Sequence, residues 1–256
     1  MLSPKWSGGV VSIVSHGHEN YIFNNESLVE ISRLPSVKVA IKDNLNSSSL
    51  KEYCLDNEFL YITSKVPAGF GENNNIVFDY CKSKGMLDDN WFFVINPDVE
   101  IDIENFKKLT TVLSQIDFKI CTVNLFKDMK YTISEESLRH YPSLKSLANL
   151  LLGRQVTKSY DKEFLEQLSP VEWASGAFLV IRSELYSNLK GFDTSYHMYY
   201  EDVDLCYRAR QDFNENVRFI KDVNAMHVGA YRNRDIFSRH FVWYVKSLMR
   251  FLFKLK

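Results

Sequence analysis

The first hundred residues alternate short apolar runs with stretches of mixed polarity, and each run closes on turn-forming residues. Residues 10–15 are a β-branched run ending at His16-Gly17, which predicts a strand entering a turn. An amphipathic stretch over 19–33 follows, with Tyr21, Leu28, Ile31 and Leu34 as its apolar contacts. Residues 37–41 predict a second strand, ended by Asp43-Asn44. A helix over 47–55 comes next, capped by Ser47 or Ser48. A third strand over 59–63 meets a break at Gly69-Phe-Gly71, and residues 73–84 predict a helix packing Ile76, Val77 and Tyr80. The continuous apolar run 91–95 enters Asn96-Pro97-Asp98. Strand alternating with helix marks an α/β chain, a Rossmann-like, mostly parallel sheet covered on both faces. Ligands bind such sheets beyond the carboxyl ends of the strands. His16, Asp43, Gly69–Asn74 and Asp98 all fall at such ends.

The second half is less regular. Residues 103–116 predict a helix and 119–126 a strand. Residues 127–170 are polar and mixed, expected as a mobile insertion with a helix near 143–152. A strand over 173–182 starts at a Ser-Gly-Ala step, a helix covers 198–211, a short strand 217–221 and a last helix 235–254. No internal repeat or linker divides the 256 residues, so one domain is expected: a nucleotide-sugar half over about 10–100, an acceptor half over 101–231, and a basic amphipathic helix over 232–256.

Composition removes several classes. With 45% apolar and 25% charged residues, the chain matches globular averages and not disordered or disulfide-built proteins. Its formal charge of −1 gives no reason to expect a nucleic-acid partner. Cys54, Cys81, Cys121 and Cys206 lie far apart in apolar surroundings, which reads as isolated thiols of a reducing compartment. The opening residues lack a signal-peptide run, and no stretch approaches the roughly 18 apolar residues that span a bilayer. A cytosolic protein, at most lying on a membrane surface, is the expectation.

Four places could carry chemistry. Asp98 puts a carboxylate at the mouth of the sheet, where a hard divalent cation shares oxygen ligands with a bound diphosphate. The same Asn-Pro-Asp string serves equally as a turn capping the next helix. Glu201, Asp202 and Asp204 crowd the start of a helix, which the macrodipole alone favours, and Asp204 also pairs with Arg208 at i,i+4. Two adjacent acids beside Tyr199 and Tyr200 nevertheless exceed what capping requires, and a partly desolvated carboxylate suits general-base work. His227 is a lone histidine after a strand, structural or ligating. Trp173 beside Ser175-Gly176-Ala177 is either core or a flat ring for a sugar.

Taken in order, residues 10–16, Asp43-Asn44, the glycine and asparagine run 69–75, Asn96-Pro97-Asp98, residues 173–177, Gly191-Phe192-Asp193, residues 200–208 and His227 resemble the family 2 glycosyltransferases of GT-A fold. Within them the chain is similar to bacterial rhamnosyltransferases that add L-rhamnose to N-acetylglucosaminyl-diphospho-undecaprenol in O-antigen assembly. Ser15-His16-Gly17-His18, Gly69-Phe70-Gly71 with Asn73–Asn75, and residues 237–243 carry that closer likeness.

The resemblance implies a sugar nucleotide, dTDP-L-rhamnose, bound by Ser15, His16, Asp43, Asn44, Gly69, Gly71, Asn74, Asn96 and Asp98. Asp43 would accept from the pyrimidine base, and the glycine loop would let backbone approach the ribose. It further implies a divalent metal (Mg or Mn) on Asp98 and His227, with Asn96 standing where the usual motif has its first Asp. Asp202 matches the catalytic base, with Glu201 positioning the acceptor or supporting Asp202. Trp173, Ser175, Gly176 and Ala177 would form the acceptor platform. Direct displacement inverts, so a β-linked donor gives an α-rhamnoside. A UDP-hexose donor on the same fold, or a catalytically silent glycan-binding subunit, are the rival readings.

A helix drawn over the last residues puts Phe237, Phe241, Tyr244, Leu248, Phe251, Leu252 and Leu255 on one face. Arg239, Lys246 and Arg250 lie nearly opposite, with Trp243 and Phe253 intruding. Such a helix suits a membrane interface, a dimer contact or simple closure of the domain. Residues 232–256 hold seven Lys/Arg and one Asp, so residues 1–231 carry −7 and the tail +6. A lipid-linked acceptor favours the membrane reading, with the protein peripheral on the inner face of the bacterial cytoplasmic membrane.

Overall fold

A computed structural model describes residues 7–152, 154–228 and 239–255. The elements run β1 (Gly9–Ser15), α1 (Glu19–Asn24), α2 (Glu26–Ser32), β2 (Val37–Asp43), α3 (Ser48–Asp56), β3 (Leu60–Thr63), α4 (Phe70–Ser83), β4 (Trp91–Ile95), β5 (Val99–Glu100) and α5 (Ile103–Leu113). They continue through β6 (Ile120–Phe126), β7 (Leu138–Arg139), α6 (Leu144–Leu151), β8 (Ser169–Val171), β9 (Trp173–Ala174), β10 (Phe178–Arg182), α7 (Ser183–Asn188), α8 (Glu201–Phe213), β11 (Val217–His227) and α9 (Arg239–Lys254).

The main sheet has the order β3-β2-β1-β4-β10-β6-β11-β5, with β8 beside β11. β3, β2, β1 and β4 are mutually parallel. β10 runs antiparallel between β4 and β6, and β6 pairs parallel with β11. Side-chain alternation along β4 explains the two layers. Trp91, Phe93 and Ile95 join the core under α1, α2, α3 and α5, while Phe92 and Val94 join the core under α4, α7 and α8. The continuous apolar run is thus a strand buried on both faces. This is the GT-A architecture that the motif order implied, with the C-terminal helix α9 added.

Several boundaries differ from expectation for local reasons. The amphipathic stretch 19–33 is two helices, broken where Asn25 turns its Nδ2 to Val99 O at 3.1 Å, and Ile22 rather than Tyr21 enters the core. Gly69-Phe-Gly71 opens α4 instead of breaking the chain, and Tyr80 on that helix stays 41% exposed. The run 173–182 is two strands, β9 and β10, separated by Ser175–Ala177. α8 starts at Glu201 because Tyr199 and Tyr200 both have φ 68°, the left-handed region, which no helix continues. β11 is eleven residues long and carries His227 on its last position, absorbing an irregularity between Ile220 and Asn224. The described residues of 127–170 are anchored rather than loose. Lys162 Nζ reaches Leu125 O at 2.9 Å, β7 pairs with β9, and β8 with β11. All four cysteines are buried free thiols, as read from their spacing.

Candidate active site

The carboxyl ends of β1, β2, β3 and β4 bring the first set of residues together. Ser15 is buried at the end of β1, its Oγ accepting from His18 N at 3.3 Å, while His16 is exposed. Asp43 is buried at the end of β2 and already engaged. Its carboxylate accepts from Leu45 N at 2.8 Å, Ser47 N at 2.6 Å and Tyr61 Oη at 2.8 Å. Asn44 is bonded both ways to Ala68, Nδ2 to its O at 3.2 Å and Oδ1 from its N at 3.3 Å, tying β2 to the start of α4. Asn74 accepts from Ser12 Oγ at 2.7 Å.

The glycines here serve the chain itself. A Cβ on Gly69 would meet His197 O at 2.3 Å, and one on Gly71 would meet the Phe192 Cβ at 2.7 Å. The close approach they permit is that of residues 192–197, and it delivers the start of α4 to the start of α8. The glycine pattern marks a close contact, and its partners within the chain are the His197 carbonyl and the Phe192 side chain.

Asn96-Pro97-Asp98 turns from β4 into β5, with Asn96 N donating to Ala177 O at 2.9 Å and Val99 N to Asn96 O at 3.1 Å. It caps no helix; that is done by Asp102, which accepts from Asn105 N at 2.7 Å. Asp98 Oδ1 lies 3.4 Å from His227 Nε2, the two brought together because β5 pairs with the end of β11. Burial works to raise the Asp98 pKa, and the His227 hydrogen bond and charge outweigh it, leaving the carboxyl below its ordinary value. Burial opposes charge on His227, yet hydrogen bonds to Asp98 and Glu135 raise the imidazole to about 9. His18 also faces Asp98, whose charge acts on it, although burial lowers its pKa overall.

Among the described residues, no group of three or more His, Cys, Asp or Glu side chains forms a ready cation cage. Asp98 and His227 do supply an oxygen and an imidazole nitrogen side by side. That donor set suits a divalent ion whose remaining ligands come from phosphate and water.

Asp202 sits in the first turn of α8, half-buried, with Oδ2 accepting from Gly176 N at 2.9 Å and Oδ1 from Val203 N at 2.8 Å. Burial, the larger effect, raises its pKa, and the backbone donors pull the other way. Glu201 is buried with Oε2 unpartnered, and burial first, then the Asp202 charge, push it up to about 8. Gly176 is therefore a holder of Asp202. A Cβ there would crowd Phe70 at 3.2 Å and the Asp202 Cβ at 3.4 Å. Through Ala177 O and Asn96 N, the same loop joins Asp202 to the Asp98 turn. Ser175 is pinned by its N to Ser137 O at 2.9 Å, and Trp173 is half-buried with Nε1 donating to His140 O at 2.9 Å.

The apolar face of α9 is used internally. Leu248, Phe251 and Leu252 are buried against Tyr196, Tyr200 and Val203, and Lys254 Nζ reaches the buried Asp204 Oδ1 at 2.5 Å, opposite Arg208. The apolar stripe assigned to a membrane thus closes the domain over α8. Residues 235–238, including Phe237, lie outside the described residues. The opposite face carries Lys246 and Arg250 between Trp243 and Phe253, so the aromatics that seemed misplaced share one surface with the cations. A groove of about 600 Å³ runs there between α9 and residues Ser195 and His197. No helix among the described residues is long and apolar enough to cross a membrane.

Sequence reasoning missed Glu135, which bonds His227, and Tyr61, which bonds Asp43. Glu135 stood in a polar run, Ser134-Glu-Glu-Ser137, with no periodic signal to mark it.

No family model matches the chain. Rhamnosyltransferase WbbL of Escherichia coli is 32% identical over 246 residues, 94% of this chain and 91% of that protein. The N-acetylglucosaminyl-diphospho-decaprenol L-rhamnosyltransferase of Mycobacterium tuberculosis is 30% identical over 130 residues, 46% of this chain and 40% of the relative. Among solved structures, GalNAc-T7 with UDP, GalNAc and Mn2+ superposes with a TM-score of 0.67 at 14% identity, over 96% of this chain and 47% of that one.

Proposed function

The chain belongs to the rhamnosyltransferase family of GT-A glycosyltransferases, and from that premise we propose that it moves L-rhamnose from dTDP-β-L-rhamnose to a hydroxyl of a lipid-linked sugar, N-acetylglucosaminyl-diphospho-undecaprenol, with inversion. The observation that carries this reading is one continuous line of contacts. Asp202 is held by Gly176, Ala177 holds the Asn96 turn, and that turn presents Asp98 to His227. A carboxylate raised by burial and aimed from a helix start removes the acceptor hydroxyl proton as the oxygen attacks the anomeric carbon. Glu201, buried beside Asp202 with its pKa raised by burial and by the Asp202 charge, favours its neutral form and so supports Asp202 as the charged partner. Ser15, Asn44 and the start of α4 shape the nucleotide end, and Asp43 holds the loop against which the base lies. Asp98 and His227 would hold a divalent ion, Mg or Mn, as the Mn2+ named with GalNAc-T7 suggests. When bound, that ion stabilises the charge of the departing diphosphate.

The outward face of α9 is the side presented to anionic lipid, because Lys246 and Arg250 flank an aromatic groove there. The protein then works peripherally on the inner face of the bacterial cytoplasmic membrane, where a lipid-linked acceptor resides. The test is a donor panel with a synthetic lipid-diphospho-N-acetylglucosamine acceptor and product analysis by mass spectrometry. The expected result is transfer from dTDP-L-rhamnose at least about a hundredfold faster than from UDP-hexoses, the discrimination a hydrogen-bonding site achieves. Faster transfer from a UDP-hexose would overturn the donor assignment.

A further inference from the structure

Glu135 is buried in a segment that none of the matched motifs includes, and its partner is one of the two candidate cation ligands. Both carboxylate oxygens lie near His227 Nδ1, Oε1 at 3.1 Å and Oε2 at 3.0 Å, while Nε2 on the other side of the ring faces Asp98. A histidine has two ring nitrogens, and the group that accepts from one decides which is left for a metal. Glu135 is itself fixed on every side. Its N donates to Leu125 O at 3.1 Å, and its O accepts from Ser137 N at 2.9 Å. The buried ammonium of Lys162, bonded to the same Leu125 O, attracts its carboxylate. The position costs a buried carboxylate, more than is needed to satisfy one imidazole N–H, which a backbone carbonyl could do.

We propose that Glu135 is a positioning residue: it takes the Nδ1–H of His227, fixes the ring, and leaves Nε2 directed at Asp98 as a cation ligand. This rests on the reading of Asp98 and His227 as the ion pair of ligands given above. Outer carboxylates of this kind orient metal-bound histidines, and their loss typically weakens metal affinity about 10–100-fold. Lys162, whose ammonium is buried at Leu125 O, adds an attractive positive charge to the Glu135 carboxylate.

The test is Mn2+ titration of the full chain in the presence of dTDP, followed by electron paramagnetic resonance, with dTDP affinity measured separately without metal. Glu135→Ala is expected to weaken Mn2+ binding about 10–100-fold and to leave metal-free dTDP affinity unchanged. Glu135→Gln keeps an oxygen for Nδ1–H and is expected to restore most of the loss. Nitrogen-15 NMR of histidine in the wild-type chain with Mg2+ and dTDP gives a reading that needs no variant, and it is expected to show the proton of His227 on Nδ1. A bare Nδ1, or Mn2+ affinity in Glu135→Ala equal to wild type while Asp98→Ala loses it, overturns the role of Glu135 alone. Equal Mn2+ affinity in wild type and Asp98→Ala overturns the underlying ligand pair, and the proposal with it.

Discussion

At the carboxyl ends of β1 and β2 and the start of α4, three buried polar side chains are bonded to the chain itself. Asp43 takes three hydrogen bonds, Asn44 clasps Ala68 in both directions, and Asn74 takes the Ser12 hydroxyl. Around β9 to β11 and α8, the groups taken out of water are ionisable ones. Glu201 Oε2 has no partner, Asp202 is held by two backbone donors, and His227 shares its protons with two carboxylates. The first region uses its polar groups to fix its own shape, which on the proposed reading gives a nucleotide a prebuilt surface. The second buries ionisable groups against one another, and those groups have shifted pKa values. On the proposed reading, binding and chemistry fall to different parts of the domain.

The contrast can be broken at Asp43. If its carboxylate is the tie of the β2–α3 loop, Asp43→Ala strands Leu45 N, Ser47 N and the Tyr61 hydroxyl. A loss of at least about 3 kcal/mol in unfolding free energy is expected from urea midpoints, since even two of the three bonds at about 1.5–3 kcal/mol per hydrogen bond to a charged group reach that value. A loss below about 1 kcal/mol would mean that the first region is not built this way.

Glu201 sharpens the other side. Its folded pKa of about 8 lies above the unfolded value near 4.5, so the folded chain binds a proton that the unfolded chain releases. The stability it carries is fully present below the unfolded value and is lost as pH rises through about 8. Glu201→Gln removes that titration, and the stability from urea midpoints should fall less steeply between pH 5 and pH 9, by about 4 kcal/mol. A variant curve parallel to wild type would mean that Glu201 is not a buried proton carrier.

What could be read from sequence follows the same division. The strands of the parallel half declared themselves because both of their faces are largely buried: β4 is an unbroken apolar run, and β1 and β2, before their last residues, are apolar apart from Ser12 in one and Lys38 and Lys42 in the other. Asp98, Asp202 and His227 were visible as motif positions, but their mutual geometry was not. It depends on β11 reaching His227 and on β5 pairing with it, and neither has a local periodic signal. Glu135 was illegible for a related reason: its partner is 92 positions away. The α9 helix was legible as amphipathic, but which face is buried depended on Tyr196, Tyr200 and Val203, contacts that no pattern within the helix records.

The central claim is that Asp202, held by Gly176, removes the acceptor proton. It is tested most directly by single-turnover transfer from saturating dTDP-L-rhamnose to the lipid-linked acceptor, comparing wild type with Asp202→Asn. The account predicts a rate lower by about 10²–10⁴-fold, with dTDP affinity within about twofold of wild type. Transfer by Asp202→Asn within about threefold of the wild-type rate would contradict it.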